Sequence, residues 1–296
     1  MRPGRVVGAW GGADGGIDGG DMQSLSGKLT AKIYVVTHKQ VMCTETDCLK
    51  VLRSDITQGK HIADKENYCE LRAQYFVWKN FDYAADYVGF FHFRRYLDLN
   101  NKQFHHKNIV PYSIKKFPKY AEYTIKQIEP FLQNCDVIAP IWEYTGCSVW
   151  KRYAQSPGHR VEDLEKVYDI ISTVYPMYKN AAIAYLNGKG EYFGNMYLMR
   201  YEVFQNYCTW LFDILERFDR ATPDMLSHTD GYLGERLFGI YYTWLKNKGN
   251  VRCVEVPRVF YYGYDDADHH FARARLVNFF LPPGKKIRAV FRKLLY

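Results

Sequence analysis

Nothing in the 296-residue chain reads as a membrane span, because no run of about 18 apolar residues occurs in it. The N-terminus carries Arg2 and Arg5, yet glycine-rich sequence (GGADGGIDGGDM, residues 11–22) stands where a secretory signal would have its apolar stretch. Secretion by its own signal is therefore not expected. The seven cysteines, Cys43, Cys48, Cys69, Cys135, Cys147, Cys208 and Cys253, are odd in number and scattered, and no C-x-x-C occurs. That usage fits reduced cytosolic thiols and argues against a disulfide framework or a zinc site. The first apolar strand leads into neither G-x-G-x-x-G nor G-x-x-x-x-G-K-[ST], which argues against a dinucleotide fold of the usual kind and a P-loop enzyme.

Acidic residues are missing from the C-terminal stretch. Residues 271–296 hold Arg273, Arg275, Lys285, Lys286, Arg288, Arg292 and Lys293 and no Asp or Glu, so removing these seven charges from the net +8 leaves about +1. The chain is a near-neutral globule with a basic tail. A nucleic-acid binder wants basic stripes on its folded face, and no nucleic-acid partner is expected.

What the chain has in quantity is aromatic residues, 17% of the total, which predicts a well-packed, ring-lined α/β protein. No internal repeat or linker is visible. Three parts are expected: a low-complexity leader over 1–28, with Met22 as a second candidate start, one domain over 29–270, and a basic tail over 271–296.

Residues 32–37 (KIYVVT) alternate little and predict a strand buried on both faces. Residues 44–65 read as a polar loop with one short helix at most. Residues 69–79 (CELRAQYFVWK) predict a helix, with Leu71, Tyr75 and Trp78 on one face. Residues 87–91 (YVGFF) have the length and β-prone composition of a buried central strand. Further helices are predicted at about 119–132, 161–175, 176–186, 201–218 and 227–247, and strands at 136–139, 195–199 and within 251–262. Residues 141–150 read as irregular. Ser227 or Thr229 is the expected cap of the 227–247 helix. Residues 284–296 finish as a basic amphipathic helix, suited to an anionic membrane surface or to docking on its own domain.

The functional reading is organised around residues 87–100 (YVGFFHFRRYLDLN). A buried strand that delivers His92, Arg94 and Arg95 at its C-terminal end asks for an anion there. Ligands of α/β sheets bind beyond the carboxyl ends of the strands, and the rigid fork of arginine suits phosphate. The alternative is a pair of surface arginines and a structural histidine. Many nucleotide-sugar transferases place Asp-x-Asp at this point to hold a divalent metal. Here the strand ends in H-F-R-R, so the positive side chains would take the leaving diphosphate directly. Asp98 is left as a lone ligand for manganese or magnesium, or as an acceptor from a sugar hydroxyl.

Glu235, followed by Arg236 in GYLGERLF, is either half of an ion pair at a helix start or the general base for an acceptor hydroxyl. Asp230 is the runner-up for that base. His159, with Tyr153 and Asp163, reads as a substrate-binding residue or as a satisfied polar group before a helix. Asp265, Asp266, Asp268, His269 and His270 have hard-ligand chemistry without the spacing of a known loop, and a solvated turn is the simpler reading.

Six stretches in one order together resemble a known family: KIYVVTHK (32–39), NYCELRAQYFVWKN (67–80), YVGFFHFRRYLDL (87–99), SVWKRYAQSPGHRVEDL (148–164), GNMYLMRYEVFQNYCTWLFDIL (194–215) and GYLGERLFGIYY (231–242). They look like the bacterial capsular and exopolysaccharide biosynthesis proteins whose domain was long catalogued as of unknown function and is now regarded as a glycosyltransferase. The resemblance implies an α/β, GT-A-like nucleotide-sugar-binding fold, a mixed central sheet flanked by helices. It also implies transfer of galactose or galactofuranose from a UDP donor to a surface-glycan or lipid-linked acceptor, by a cytoplasmic protein peripheral to the membrane. Thr37 and His38 match the family's first loop and fall on the donor side with Asp98. His92, Arg94, Arg95 and Tyr96 match its H-x-R-R-Y signature. Asn195 and Met196 match its N-M strand and Arg236 its E-R pair with Glu235; with His159 these three are assigned to the acceptor side. The chain departs from the pattern at Phe93, where tyrosine is usual, and at Arg72, where threonine is commoner. A non-catalytic glycan- or nucleotide-binding component of a polysaccharide assembly complex is the alternative function.

Overall fold

The computed structural model describes residues 29–38, 45–81, 85–99, 109–116, 128–129, 131–262, 276–282 and 285–291. Its strands are β1 (Ala31–Thr37), β2 (Leu49–Arg53), β3 (Tyr87–His92), β4 (Arg95–Leu97), β5 (Ile109–Ser113), β6 (Val137–Pro140), β7 (Glu143–Tyr144), β8 (Gly190–Glu191), β9 (Tyr197–Arg200), β10 (Cys253–Val256) and β11 (Arg258–Tyr262). Its helices are α1 (Leu71–Asn80), α2 (Val149–Ala154), α3 (Val161–Val174), α4 (Lys179–Leu186), α5 (Tyr201–Ala221), α6 (Thr229–Lys248) and α7 (Lys286–Val290).

One mixed sheet organises them, and β3 is its hub. β2, β1 and β3 run parallel, then β9 lies antiparallel between β3 and β6, and β10 continues parallel to β6. At its C-terminal end β3 turns back into β4, which pairs with β11, and β11 with β5. β7 and β8 form a separate two-stranded ribbon. Side chains of β1 and β3 alternate between two cores. Val36, Val88 and Phe90 join the larger, helix-covered cluster, while Ile33, Val35, Tyr87 and Phe91 join the smaller one behind the sheet. Burial of each such side chain contributes about 1.5–3 kcal/mol. Gly89 is required by its neighbours: a Cβ there would lie 2.9 Å from Leu198 Cδ1 and 3.0 Å from the Tyr197 carbonyl.

The helix layer is pressed close on the site side. A Cβ at Gly231 of α6 would stand 2.9 Å from Cys69 Sγ, and one at Gly234 would stand 2.7 Å from Leu71 Cδ1. Small residues therefore let the first turns of α6 lie against the start of α1, which sets where Glu235 emerges.

The structure corrects the sequence reading at several points. Residues 49–53 form edge strand β2, although the 44–65 region reads as loop; the strand is short, pairs only with β1 and carries Lys50 and Arg53 among its five residues. The stretch 141–150 holds β7 and the start of α2. Neither Ser227 nor Thr229 caps α6. His228 does, in a left-handed conformation (φ 70°) and without a side-chain cap bond, while Thr229 Oγ1 donates to the Leu226 carbonyl (2.8 Å). The leader 1–28, the Asp265–His270 cluster, residues 292–296 and most of the 119–132 helix lie outside the described residues. Among the described residues no helix is long and apolar enough to cross a membrane.

Candidate functional site

β1 and β3 end side by side, with Val36 paired to His92. Beyond their carboxyl ends opens a cavity of about 390 Å³, lined from the sheet by Thr37, His38, His92 and Phe93 and from the helix layer by Cys69, Glu70 and His228. The backbone marks the same place. Among the described residues, the non-glycine positions with positive φ are Cys69 (48°), Asn195 (46°) and His228 (70°). Cys69 and His228 line the cavity, and Asn195 Nδ2 donates to Glu70 Oε1 on its wall (2.8 Å). Each such conformation costs about 1–3 kcal/mol and persists only where its surroundings over-determine it.

The β3–β4 turn supplies the charge. Phe93 and Arg94 form the turn, and His92 and Arg95 face each other across it. Burial pushes the His92 ring down to about 4, and the Arg95 guanidinium pushes it the same way, so the imidazole is neutral at physiological pH. Arg95 is itself held below the usual arginine range, first by burial and then by Arg258 of β11. No hydrogen bond or ion pair to Arg95 occurs among the described residues; its contact is the Phe260 ring, 5.7 Å from Cζ. Arg94 lies over Phe93, 4.8 Å from the ring centre.

Glu235 of α6 stands near the strand end, where its charge acts on His92. Its Oε1 accepts from the Gly194 N–H (2.8 Å), and its side chain is 21% exposed. Gly194 (φ 97°) also lies near the His92 ring, and its backbone raises the ring's pKa against the effect of burial. Arg236 is 4% exposed and clamped: Nη2 lies 3.1 Å from Glu191 Oε2 and Nη1 lies 3.2 Å from Glu235 Oε2. Arg152 Nε meets the other Glu191 oxygen at 3.1 Å. His159 belongs to this side too. Its ring stacks on Tyr232 (4.0 Å) and meets Tyr153 edge-on (4.5 Å), and burial lowers its pKa. Asp163 is instead paired with Arg160 (2.9 Å) at the start of α3.

Other residues singled out by sequence lie inside the packing. Met196 is fully enclosed in the smaller core. Tyr96 is fully buried, and its hydroxyl donates to the Phe93 carbonyl (3.3 Å), which braces the turn. Asp98 is buried after β4, its N–H donating to the Pro257 carbonyl (2.7 Å). Asp230 has no exposed surface. Its carboxyl takes a bond from Asn67 Nδ2 and lies near Asp219, whose Oδ2 accepts from Lys65 Nζ (2.7 Å) and Tyr68 OH (3.0 Å). Burial and Asp219 push Asp230 up to about 8. Among the described residues no three of His, Cys, Asp and Glu converge to hold a metal ion.

Sequence reasoning missed Glu70, Gly194 and Arg258. Glu70 stands in the ELR start of the α1 segment, and burial raises its carboxyl pKa against the bond from Asn195. Only contacts from distant segments reveal these three.

The chain shares this architecture with known proteins. The solved apo structure of the WbbM bifunctional glycosyltransferase is similar over 79% of this chain and 46% of that one, with 27% identity and a TM-score of 0.71. This chain thus spans less than half of that protein. The mixed α/β fold with a central sheet flanked by helices is accordingly that of a glycosyltransferase structure. No curated protein shows significant similarity. Residues 32–248 match the model of a domain of unknown function, DUF4422, and the chain belongs to that family.

Proposed function

We propose that this protein transfers a sugar from a nucleotide-diphosphate donor to a glycan acceptor. Arg95 is the observation that carries the reading: a largely enclosed guanidinium with no carboxylate bonded to it among the described residues, at the carboxyl ends of parallel strands. The cavity of about 390 Å³ lined by the neighbouring His92 and Phe93 falls in the size range of small-molecule sites. Similarity to a glycosyltransferase structure supports the same class. The parallel strands with antiparallel β9 among them suit a GT-A-like domain.

In this reading the diphosphate lies against Arg94 and Arg95, with Thr37 and His38 on the cavity wall beside the nucleoside. Glu235 takes the proton of the acceptor hydroxyl in an inverting transfer. The freed oxygen bonds to the anomeric carbon, and the bond to the diphosphate breaks with its electron pair leaving on phosphate, where the arginines hold the charge. His159 and Asn195 belong to the acceptor half, and Arg236 positions Glu235. The family resemblance adds UDP as nucleotide, galactose or galactofuranose as sugar, and a surface-polysaccharide acceptor.

Calorimetric titration of UDP and UDP-sugars, with manganese or with EDTA, tests the donor site. Micromolar UDP binding is expected to survive EDTA; strict metal dependence sinks the arginine reading and returns weight to Asp98. Glu235→Gln should lower transfer at least about 100-fold while leaving donor affinity intact. Undiminished turnover would place the base elsewhere.

The C-terminal segment suits an anionic membrane surface on the protein's cytoplasmic side. Leu276, Phe279, Phe280, Ile287, Val290 and Phe291 are all exposed, beside Lys286 and Arg288. Flotation with anionic liposomes should be lost when residues 276–296 are removed, and retention would refute this attachment.

A further inference from the structure

β11 runs antiparallel to β4 with Phe260 opposite Arg95 and Arg258 opposite Leu97. Residues two apart on a strand share a face, so Arg258 is the diagonal neighbour of Arg95. His92 is the direct neighbour of Arg95 on the other side. Three strands thus align His92, Arg95 and Arg258 in one row.

Arg258 is only 8% exposed, and one carboxylate holds it: Nη2 bonds to Glu143 Oε1 of β7. Its covered Nε has no hydrogen-bond partner among the described residues. Phe193 covers the guanidinium, 5.5 Å from Cζ. Arg258 holds the Arg95 pKa down, while Glu235 and Glu70 act on it in the opposite direction. Glu143 answers one side of Arg258, and neither guanidinium can relieve the remaining repulsion by losing a proton, because arginine stays charged. An anion between them would relieve it, and the unpartnered Nε–H with its neighbouring Nη groups offers the donor pattern that grips phosphate oxygens.

We propose that Arg258 belongs to the anion site and binds the donor's diphosphate from the side opposite Arg95, with Glu143 as the positioning residue that turns its fork toward the phosphate. The identity of the anion rests on the transferase reading above. The existence of an anion site does not, since inorganic pyrophosphate would meet the same groups.

Pyrophosphate and UDP are titrated separately into wild type, Arg258→Lys, and the double variant Arg258→Gln with Glu143→Gln, which leaves neither charge unpaired. Thermal unfolding is followed in parallel to show that each variant is folded. Arg258→Lys keeps the charge and loses the fork, so both affinities should fall about 10-fold; in the double variant the fall should reach about 100-fold. If the double variant does not fold, Arg258→Lys decides the matter alone. Unchanged affinity for both anions in a folded variant overturns the proposal and leaves the transferase reading standing. Wild type that binds pyrophosphate but no nucleotide, with the same loss in Arg258→Lys, overturns the transferase reading and keeps the anion site. Wild type with affinity for neither overturns both.

Discussion

Among the described residues, like charges are brought together in a carboxylate pair and in an arginine pair, and the two differ in how the conflict is met. Asp219 and Asp230 meet beneath α6, and the second carboxyl keeps its proton, with a pKa pushed up to about 8. Arg95 and Arg258 are diagonal neighbours across β4 and β11 and have no such exit, because a guanidinium does not deprotonate at physiological pH. The acid pair has Asn67, Tyr68 and Lys65 as hydrogen-bond or ion-pair partners. Arg258 is held by Glu143, whereas Arg95 has Glu235 and Glu70 nearby but no carboxylate bonded to it among the described residues. Buried charge alone therefore does not mark a ligand site; a guanidinium that the chain leaves without a bonded carboxylate is the better mark. Arg236 makes the same point, since it is as enclosed as either pair and balanced by Glu191 and Glu235.

The largest effect should come from breaking a compensated arginine. Arg236→Met leaves Glu191 buried beside Arg152 alone and should cost about 3–5 kcal/mol of unfolding free energy in urea. A loss below about 1 kcal/mol would show that the clamp is not structural. Arg95→Met should behave in the opposite sense. Donor affinity should fall about 10- to 100-fold by calorimetry, while the ligand-free protein keeps its stability or gains slightly, because a desolvated cation has been removed. Destabilisation like that of Arg236→Met would erase the distinction between the two arginines.

The acid pair makes a pH prediction. Asp230 is raised in the folded state above its ordinary value of 3.8, so its contribution favours folding at low pH and is lost as pH rises toward about 8. Asp230→Asn should flatten that slope and leave the variant on the order of 1–2 kcal/mol more stable than wild type near pH 8, by urea unfolding. An unchanged slope would mean that the pair holds no proton. The smallest effect is spectroscopic. The His92 ring should titrate near pH 4 by NMR, and in Arg95→Met its midpoint should move up because a neighbouring positive charge is gone. A midpoint in the ordinary histidine range would place His92 in water.

Much of this could be read from the chain alone, for local reasons. Residues 87–91 form a strand because every side chain in the run suits enclosure, and the helices follow their apolar period. The joint between strand and arginines was visible because H-F-R-R follows YVGFF without a break. The choice between Glu235 and Asp230 was not visible. Five residues apart on a helix, they point about 140° away from each other, and only the packing of α6 shows that Asp230 is fully buried while Glu235 stays partly exposed. Met196 misled in the same manner, since a residue beside Asn195 in the N-M stretch turns into the core as the strand begins.

The sequence by itself determined where the chain is apolar enough to be a strand or a helix, and that one strand end is rich in positive charge. It did so because periodicity and burial act over a few neighbouring residues. Tertiary structure alone decided which charges are answered. Arg258 comes next to Arg95 through the register of β11 on β4, and Glu143 comes to Arg258 on the ribbon that carries β7, both from segments far along the chain. Charge balance depends on distances between such segments, and that is why an uncompensated arginine becomes visible only once the sheet has formed.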